Sequence, residues 1–169
     1  LEAVEAVGFV PNRSARQLVS GRAGAVGVIV PDITNPYFST VLQAIQADAR
    51  GHDLGVLIAD TGADADVERQ ALARLGRQVD GLVVLTPVTD LSSATVPTVQ
   101  VNRQSRRAPS VVVDQAAVIS LAVDHLAKLG HRHLAVVRGP ASYWSTGRRD
   151  RAIDRLASTH DGALRIDAI

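Results

Sequence analysis

The side chains best suited to gripping a small molecule are aromatic, and their placement is uneven. Of one tryptophan, two tyrosines and two phenylalanines, four fall in two adjacent pairs, Tyr37–Phe38 and Tyr143–Trp144. Each pair stands a few residues beyond an apolar run, in "VGVIVPDITNPYF" and "HLAVVRGPASYW". A core would spread such rings through strands and helices, whereas rings at loop ends offer faces that stack on a sugar or a base. Phe38 taken singly is equally well explained as the first member of an apolar helical stripe. The group as a whole points to a ligand site.

Other chemistries find little to work with. The absence of cysteine excludes a disulfide scaffold, a thiolate metal site and a cysteine nucleophile. There is no G-x-S-x-G elbow and no H-E-x-x-H, and the serines, histidines and aspartates form no recognisable catalytic arrangement. No enzymatic activity is expected. The glycines of "GRAGAVG" precede an apolar run, whereas a phosphate-binding fingerprint must follow a strand and open a helix. His131 and His133 sit two apart, and a metal set would have to add Asp124 or His125. No third ligand has useful spacing, so a polar turn leading into a strand explains them. "DTGADAD" (60–66) lacks the glycine and distal glutamate of a calcium loop, and Asp64 and Asp66 read as helix caps. "NRS" (12–14) is a formal glycosylation acceptor with no sign of secretion to give it meaning. Nothing calls for a cofactor or a metal.

One basic segment is harder to dismiss. "PNRSARQLVSGR" (11–22) has a good N-cap in Asn12, no breaker to Val19 and a stop at Gly21. It carries Arg13, Arg16 and Arg22 with no acid, and few apolar residues. So short a helix is marginal alone in water, because nucleation costs more than two turns return.

The elements that must position these groups follow from periodicity. Residues 26–30, 55–60, 81–85, 98–101, 110–113 and 133–137 are apolar runs of the buried-strand type, and "ALRIDAI" reads as one more strand. Asn35 and Pro36 begin a helix whose stripe is Phe38, Val41, Leu42 and Ile45, continuing to about Arg50. Asp66 opens a helix bearing Val67, Leu72 and Leu75. Val118, Ala122, Leu126 and Leu129 line another, stopped by Gly130, and a further helix covers the region of Arg149–Ala157. Strands alternating with helices of a dozen residues mean a parallel sheet with helices on both faces. Ligands of such sheets sit beyond the carboxyl ends of the strands.

Composition agrees. The 169 residues are 46% hydrophobic and 21% charged, which suits one ordinary globular unit or one and a half. A net charge of +1 means that any nucleic-acid contact must come from a local patch. No apolar run approaches a membrane span and nothing resembles a signal peptide, so a cytoplasmic location is expected. The chain opens inside a helical pattern, "LEAVEAVGF", and contains no methionine, so it is expected to be part of a longer protein.

Taken in order, "VGFVPNRSARQLVSGR", "VGVIVPDITNPYFSTVLQAIQ", "VDGLVVL", "PTVQVNR" and "VDQAA…AVDHLAKLGHRHLAVVRGP" resemble the lactose-repressor/purine-repressor family of bacterial transcription regulators. The resemblance implies an α/β, periplasmic-binding-protein-like core of two subdomains preceded by a hinge helix. Residues 1–11 would end a helix-turn-helix DNA-binding domain and 12–24 would be the hinge helix and linker. Residues 25–113 would form the N-terminal effector-binding subdomain and 114–169 part of the C-terminal one. In such regulators two hinge helices of a homodimer pack in the minor groove of operator DNA and a leucine opens a base step. That leucine matches Leu18, with Ala15 at the close helix approach, Asn12 at the helix start and Arg13 and Arg16 placed for phosphates.

The effector positions implied are Asp32, Asn35, Phe38 and Val41, then Thr86, then Asn102 and Arg103, then Trp144, Ser145 and Arg149. Arg149 matches an arginine that grips the ligand in sugar-responsive members. Two departures stand out: Gln115 and Val118 replace the usual Asn and Gly of Asp-Asn-x-x-Gly, and Ala152 replaces the Gly of Arg-x-x-Gly. The function implied is a repressor that binds operator DNA, on the nucleoid when bound, under control of a small-molecule effector, with a sugar favoured. A transport-type periplasmic sugar-binding protein is the alternative, disfavoured by the basic segment at 12–22.

Overall fold

The computed structural model describes residues 21–159 and 165–168. The segment 1–11 and the hinge positions Asn12, Arg13, Ala15, Arg16 and Leu18 lie outside the described residues. The elements run β1 (Ala25–Val30), α1 (Pro36–Gly51), β2 (Gly55–Asp60), α2 (Ala65–Leu75), β3 (Gly81–Leu85), β4 (Thr98–Val101), β5 (Ser110–Val111), α3 (Gln115–Lys128), β6 (His133–Val136), α4 (Trp144–Thr159) and β7 (Arg165–Ala168). The first five strands form one sheet in the order β2-β1-β3-β4-β5, all parallel, and β6 and β7 form a second parallel pair.

Period two in β1 and β3 builds two cores. Ala25 and Ile29 of β1 join Leu82 and Val84 of β3 against Leu72 and Leu75 of α2. Val28 and Val30 turn the other way, with Leu85, to meet Phe38 and Leu42 of α1. Successive strand side chains point to opposite faces, so one short run feeds both layers. Gly27 lets α2 come close: a Cβ there would lie 2.6 Å from a Leu82 methyl and 3.4 Å from methyls of Leu75 and Val79.

The strand order has a direct consequence for the site. From β1 the chain moves outward to β2 and then crosses back to β3 on the other side of β1. The connections leaving β1 and β3 therefore diverge, and a crevice opens at their carboxyl ends.

Four local expectations need correction. β5 covers only Ser110–Val111, not 110–113, because its register against β4 ends at Val101 opposite Val111. The cap of α2 is Asp64, whose carboxylate accepts from the N–H groups of Asp66 and Val67, so Asp66 sits inside the first turn. α4 begins at Trp144, several residues before Arg149. In α3 the residue buried is Val123, while Val118 and Leu129 of the expected stripe are exposed. α3 packs chiefly on α4, and Val118 and Leu129 remain uncovered.

Candidate functional site

Residues at the carboxyl ends of β1, β3 and β4 face the start of α4 across a cavity of about 300 Å³. It is lined by Asn35, Tyr37, Phe38, Thr86, Asn102, Val113, Gln115, Pro140, Tyr143, Ser145 and Arg149. Side chains from both sheet regions thus meet in one place.

Asn35 is the N-cap of α1, and its Oδ1 accepts from the N–H of Tyr37 at 3.0 Å. With Pro36 in the first helical position, this cap sets Tyr37 and Phe38 in the first turn. Their rings meet edge to face, 5.1 Å apart at 79°. Phe38 plugs the core beneath the cleft, whereas Tyr37 is exposed. The Asn102 amide donates to the Tyr37 hydroxyl at 2.7 Å and so ties the exit of β4 to the exit of β1.

Thr86 and Asn102 each follow a strand directly and each has a positive φ, 49° and 60°. Asn tolerates the left-handed region, while a β-branched threonine there is strained by about 1–3 kcal/mol. Both still extend the ladder: Thr86 N–H donates to the Val101 carbonyl at 2.8 Å, and Asn102 N–H donates to the Val111 carbonyl at 2.9 Å. The ladder thus runs up to the rim of the cleft, where the backbone turns sharply.

Glu68 holds that rim from inside. Its side chain, 2% exposed, accepts from the N–H of Val88 at 2.9 Å, the N–H of Thr89 at 2.8 Å and the Thr89 hydroxyl at 2.5 Å. The loop that follows Thr86 is therefore pinned to α2. A sequence signal existed: Glu68 shares the stripe of Leu72 and Leu75 at spacings of four and seven, a buried position for a charged residue.

On the opposite wall, Pro140 accepts from the N–H of Tyr143 at 3.1 Å and Tyr143 accepts from the N–H of Thr146 at 3.0 Å, a tight turn that starts α4. Ser145 and Thr146 are buried, and Arg149 is half-buried one turn on. Burial, with a smaller contribution from the Asp32 carboxylate, pushes the Tyr143 phenol above its ordinary value. Tyr143 remains a protonated donor at neutral pH.

Of the expected effector positions, Asn35, Phe38, Thr86, Asn102, Ser145 and Arg149 come together in the lining. The others lie elsewhere. Asp32 is engaged in its own turn, accepting from the Thr34 hydroxyl at 2.6 Å and N–H at 2.9 Å, and these bonds lower its carboxyl pKa. Val41 packs against the α1 core cluster. Arg103 donates to the Pro87 carbonyl at 2.8 Å. Trp144 lines two neighbouring hollows instead, with the Arg148 guanidinium 4.8 Å over its ring. Tyr37, Val113, Gln115, Pro140 and Tyr143 were not among the expected positions. The two tyrosines belong to the aromatic pairs that first marked these loops, and Gln115 is one of the departures from the family pattern.

A parallel sheet of this order, with a polar cleft shared between two sheet regions, defines a class of ligand-binding α/β protein. A family profile described as "Periplasmic binding proteins and sugar binding domain of LacI family" matches residues 23–157. The chain belongs to that family. Among relatives, it is 31% identical over 148 residues to catabolite control protein A of Priestia megaterium, covering 82% of this chain and 45% of that protein. It is 35% identical over 145 residues to the HTH-type transcriptional regulator PtxS of Pseudomonas plecoglossicida, covering 81% of this chain and 43% of that protein. The chain thus spans less than half the length of these curated relatives. Among solved structures, the Lac repressor bound to ONPG superposes with a TM-score of 0.83 at 20% identity, over 99% of this chain and 54% of that one. A periplasmic binding protein/LacI transcriptional regulator from Alkaliphilus metalliredigens, complexed with D-xylulofuranose, gives 0.76 at 23% identity, over 86% and 56%. At these identities the structures speak for the fold. Among the described residues no helix is long and apolar enough to cross a membrane.

Proposed function

We propose that the protein is a ligand-responsive transcriptional repressor, without catalytic activity, that acts in the cytoplasm as a homodimer on operator DNA. A sugar-class effector would occupy the cleft, and residues 12–24 would be the hinge helix and linker through which its binding reaches DNA. Residues 25–113 and 114–169 would be the two effector-binding subdomains, the second incomplete. The observation that carries this reading is the composition of the cleft, which draws Asn35, Phe38, Thr86 and Asn102 from the first sheet region and Ser145 and Arg149 from α4. A ligand held by both binds one relative orientation of the two regions better than another, and only such a difference lets it shift a conformational equilibrium.

The segment at 12–20 fits the receiving end. A basic helix too short to be stable alone folds when a twin and a DNA groove supply contacts, with Leu18 as the wedge and Arg13 and Arg16 on phosphates. The relatives named above are regulators by name, which favours this reading over a transport-type binding protein.

The test uses the full-length protein. A sugar that raises its melting temperature is titrated against the protein on duplexes selected from a random pool. The expected result is a change of at least about fivefold in DNA affinity, the lower range of measured couplings. An unchanged DNA affinity at saturating ligand overturns the coupling. Retention of ligand affinity in both Arg149→Ala and Phe38→Ala removes the cleft as the site.

A further inference from the structure

The residues just ahead of the first strand are held by one distant side chain. Asp80 stands immediately before β3, at the amino-terminal end of the sheet. Its Oδ1 accepts from the Ala23 N–H and its Oδ2 from the Gly24 N–H, both at 2.7 Å. Backbone bonds close the same knot. Asp80 N–H donates to the Ala25 carbonyl at 2.8 Å, and Gly55 N–H donates to the Gly24 carbonyl at 2.9 Å. The N–H of Ala23 above all, then those of Gly24 and Ala25 and the charge of Arg22, hold the Asp80 carboxyl below its ordinary value.

An ionised carboxylate suits this task because it only accepts, at both oxygens. An asparagine could meet one of the two N–H groups, and its NH₂ would oppose the other. Gly24 has a φ of 64°, and a Cβ there would meet nothing within 4 Å. Glycine therefore serves the left-handed turn and not a tight fit.

β3 joins this anchor to the cleft. Thr86 follows the other end of the strand and lines the cleft, about 20 Å from Asp80 at the rise of extended chain. β1 pairs with β3 from Val26–Gly81 to Ile29–Val84, and it too runs from the anchored turn toward the loop of Asn35. One pair of neighbouring strands thus begins at the linker and ends at the cleft.

We infer that Asp80 is a positioning residue for DNA binding, whose carboxylate fixes where and in which direction the segment at 12–22 leaves the core. The inference rests on that segment carrying the DNA contact. In a homodimer two such segments must reach one duplex together. A linker freed from its anchor samples more directions, and the fraction poised to bind falls. A fall of about threefold for each segment multiplies to about tenfold for the pair.

The test measures the affinity of the full-length protein for a duplex that the wild type selects from a random pool. Asp80→Ala is expected to bind it about tenfold more weakly, and Asp80→Asn by an intermediate factor because one acceptor survives. Removing a negative charge near DNA would by itself strengthen binding, so the sign separates anchoring from electrostatics. The salt dependence is expected to keep its slope, since no phosphate contact is removed. Gly24→Ala strains the turn, leaves the carboxylate in place and is expected to weaken binding severalfold as well. Asp64→Ala loses a helix cap elsewhere in the same sheet region and is expected to keep full DNA affinity. Hydrogen exchange at the Ala23 and Gly24 amides is expected to quicken in Asp80→Ala while β1 and β3 stay protected.

Wild-type or tighter DNA binding by Asp80→Ala overturns the inference and leaves the repressor reading standing. An equal loss in Asp64→Ala does the same, as do a reduced salt slope and unchanged exchange at Ala23 and Gly24. A wild-type protein that selects no duplex overturns both readings.

Discussion

The five-stranded region and the two-stranded region that face each other across the cleft are built very differently. The first has two core clusters, one on each face of its sheet, and side chains such as Val28, Val30, Leu72 and Val84 are fully buried. In the second, the buried apolar side chains among those described are Val123, Ala152 and Ile153, while Leu121 and Val137 stand in solvent. Among the described residues, the buried apolar contacts are therefore concentrated in the first region.

The largest expected effect is in the first region. Leu72→Ala removes a side chain with no exposure and is expected to cost about 2–5 kcal/mol in urea unfolding, whereas Leu121→Ala, at 71% exposure, should change stability by less than about 0.5 kcal/mol. Comparable losses at both positions would erase the distinction between the regions. Next comes Glu68→Leu, which strands three donors of the loop beyond Thr86, the two on Thr89 buried and that of Val88 part-buried. It should cost about 3 kcal/mol and weaken ligand binding as the rim loosens; a stable variant with intact affinity would mean the rim needs no such pin.

A smaller effect separates two neighbouring aspartates. Asp64→Ala should destabilise by about 1 kcal/mol and Asp66→Ala by clearly less, since Asp64 accepts the first-turn N–H groups. Equal losses would return the cap to Asp66.

The smallest effects concern pH, where the lowered carboxyls lie in the first region and the raised Tyr143 phenol in the second. Hydrogen bonds lower the pKa values of Asp32, Asp64, Asp80 and Asp90, all in the first region, below the ordinary 3.8. A lowered folded pKa contributes stability above the unfolded value that is lost as pH falls through it. Tyr143 is raised above 10.0, so its contribution is full below that value and lost as pH rises through it. Asp80→Asn should therefore flatten the acid limb of the melting curve, and Tyr143→Phe the alkaline limb. An alkaline limb unchanged in Tyr143→Phe would remove the phenol from that account.

Much of this was legible in the residues themselves. The runs at 26–30, 55–60 and 81–85 form strands because continuous β-branched and apolar residues suit a sheet buried on both faces. Asn35-Pro36 starts α1 because that pair satisfies and pre-shapes a helix N-terminus. The aromatic pairs marked the two loops that meet in the cleft. What periodicity missed was directional: Tyr143 and Trp144 share one neighbouring hollow, yet of the two only Tyr143 also lines the cleft. Likewise Val118 and Leu129 have the spacing of a core stripe, but spacing names a face without supplying a partner for it.

Local chemistry acts over a few residues, through caps, turns, strand periods and charge runs, and the sequence alone therefore determined the alternation of strands and helices, the basic segment at 12–22 and the aromatic loops that line the cleft. The tertiary structure decided everything that depends on distant residues becoming neighbours. It set Tyr37 against Asn102, 65 positions apart. It put the carboxylate of Glu68 under the loop beyond Thr86, and left Thr146 buried beside Gly139 and Arg149 with a hydroxyl still to be satisfied. Those contacts follow from the order in which parallel strands are laid down, and strand order is a property of the packed whole.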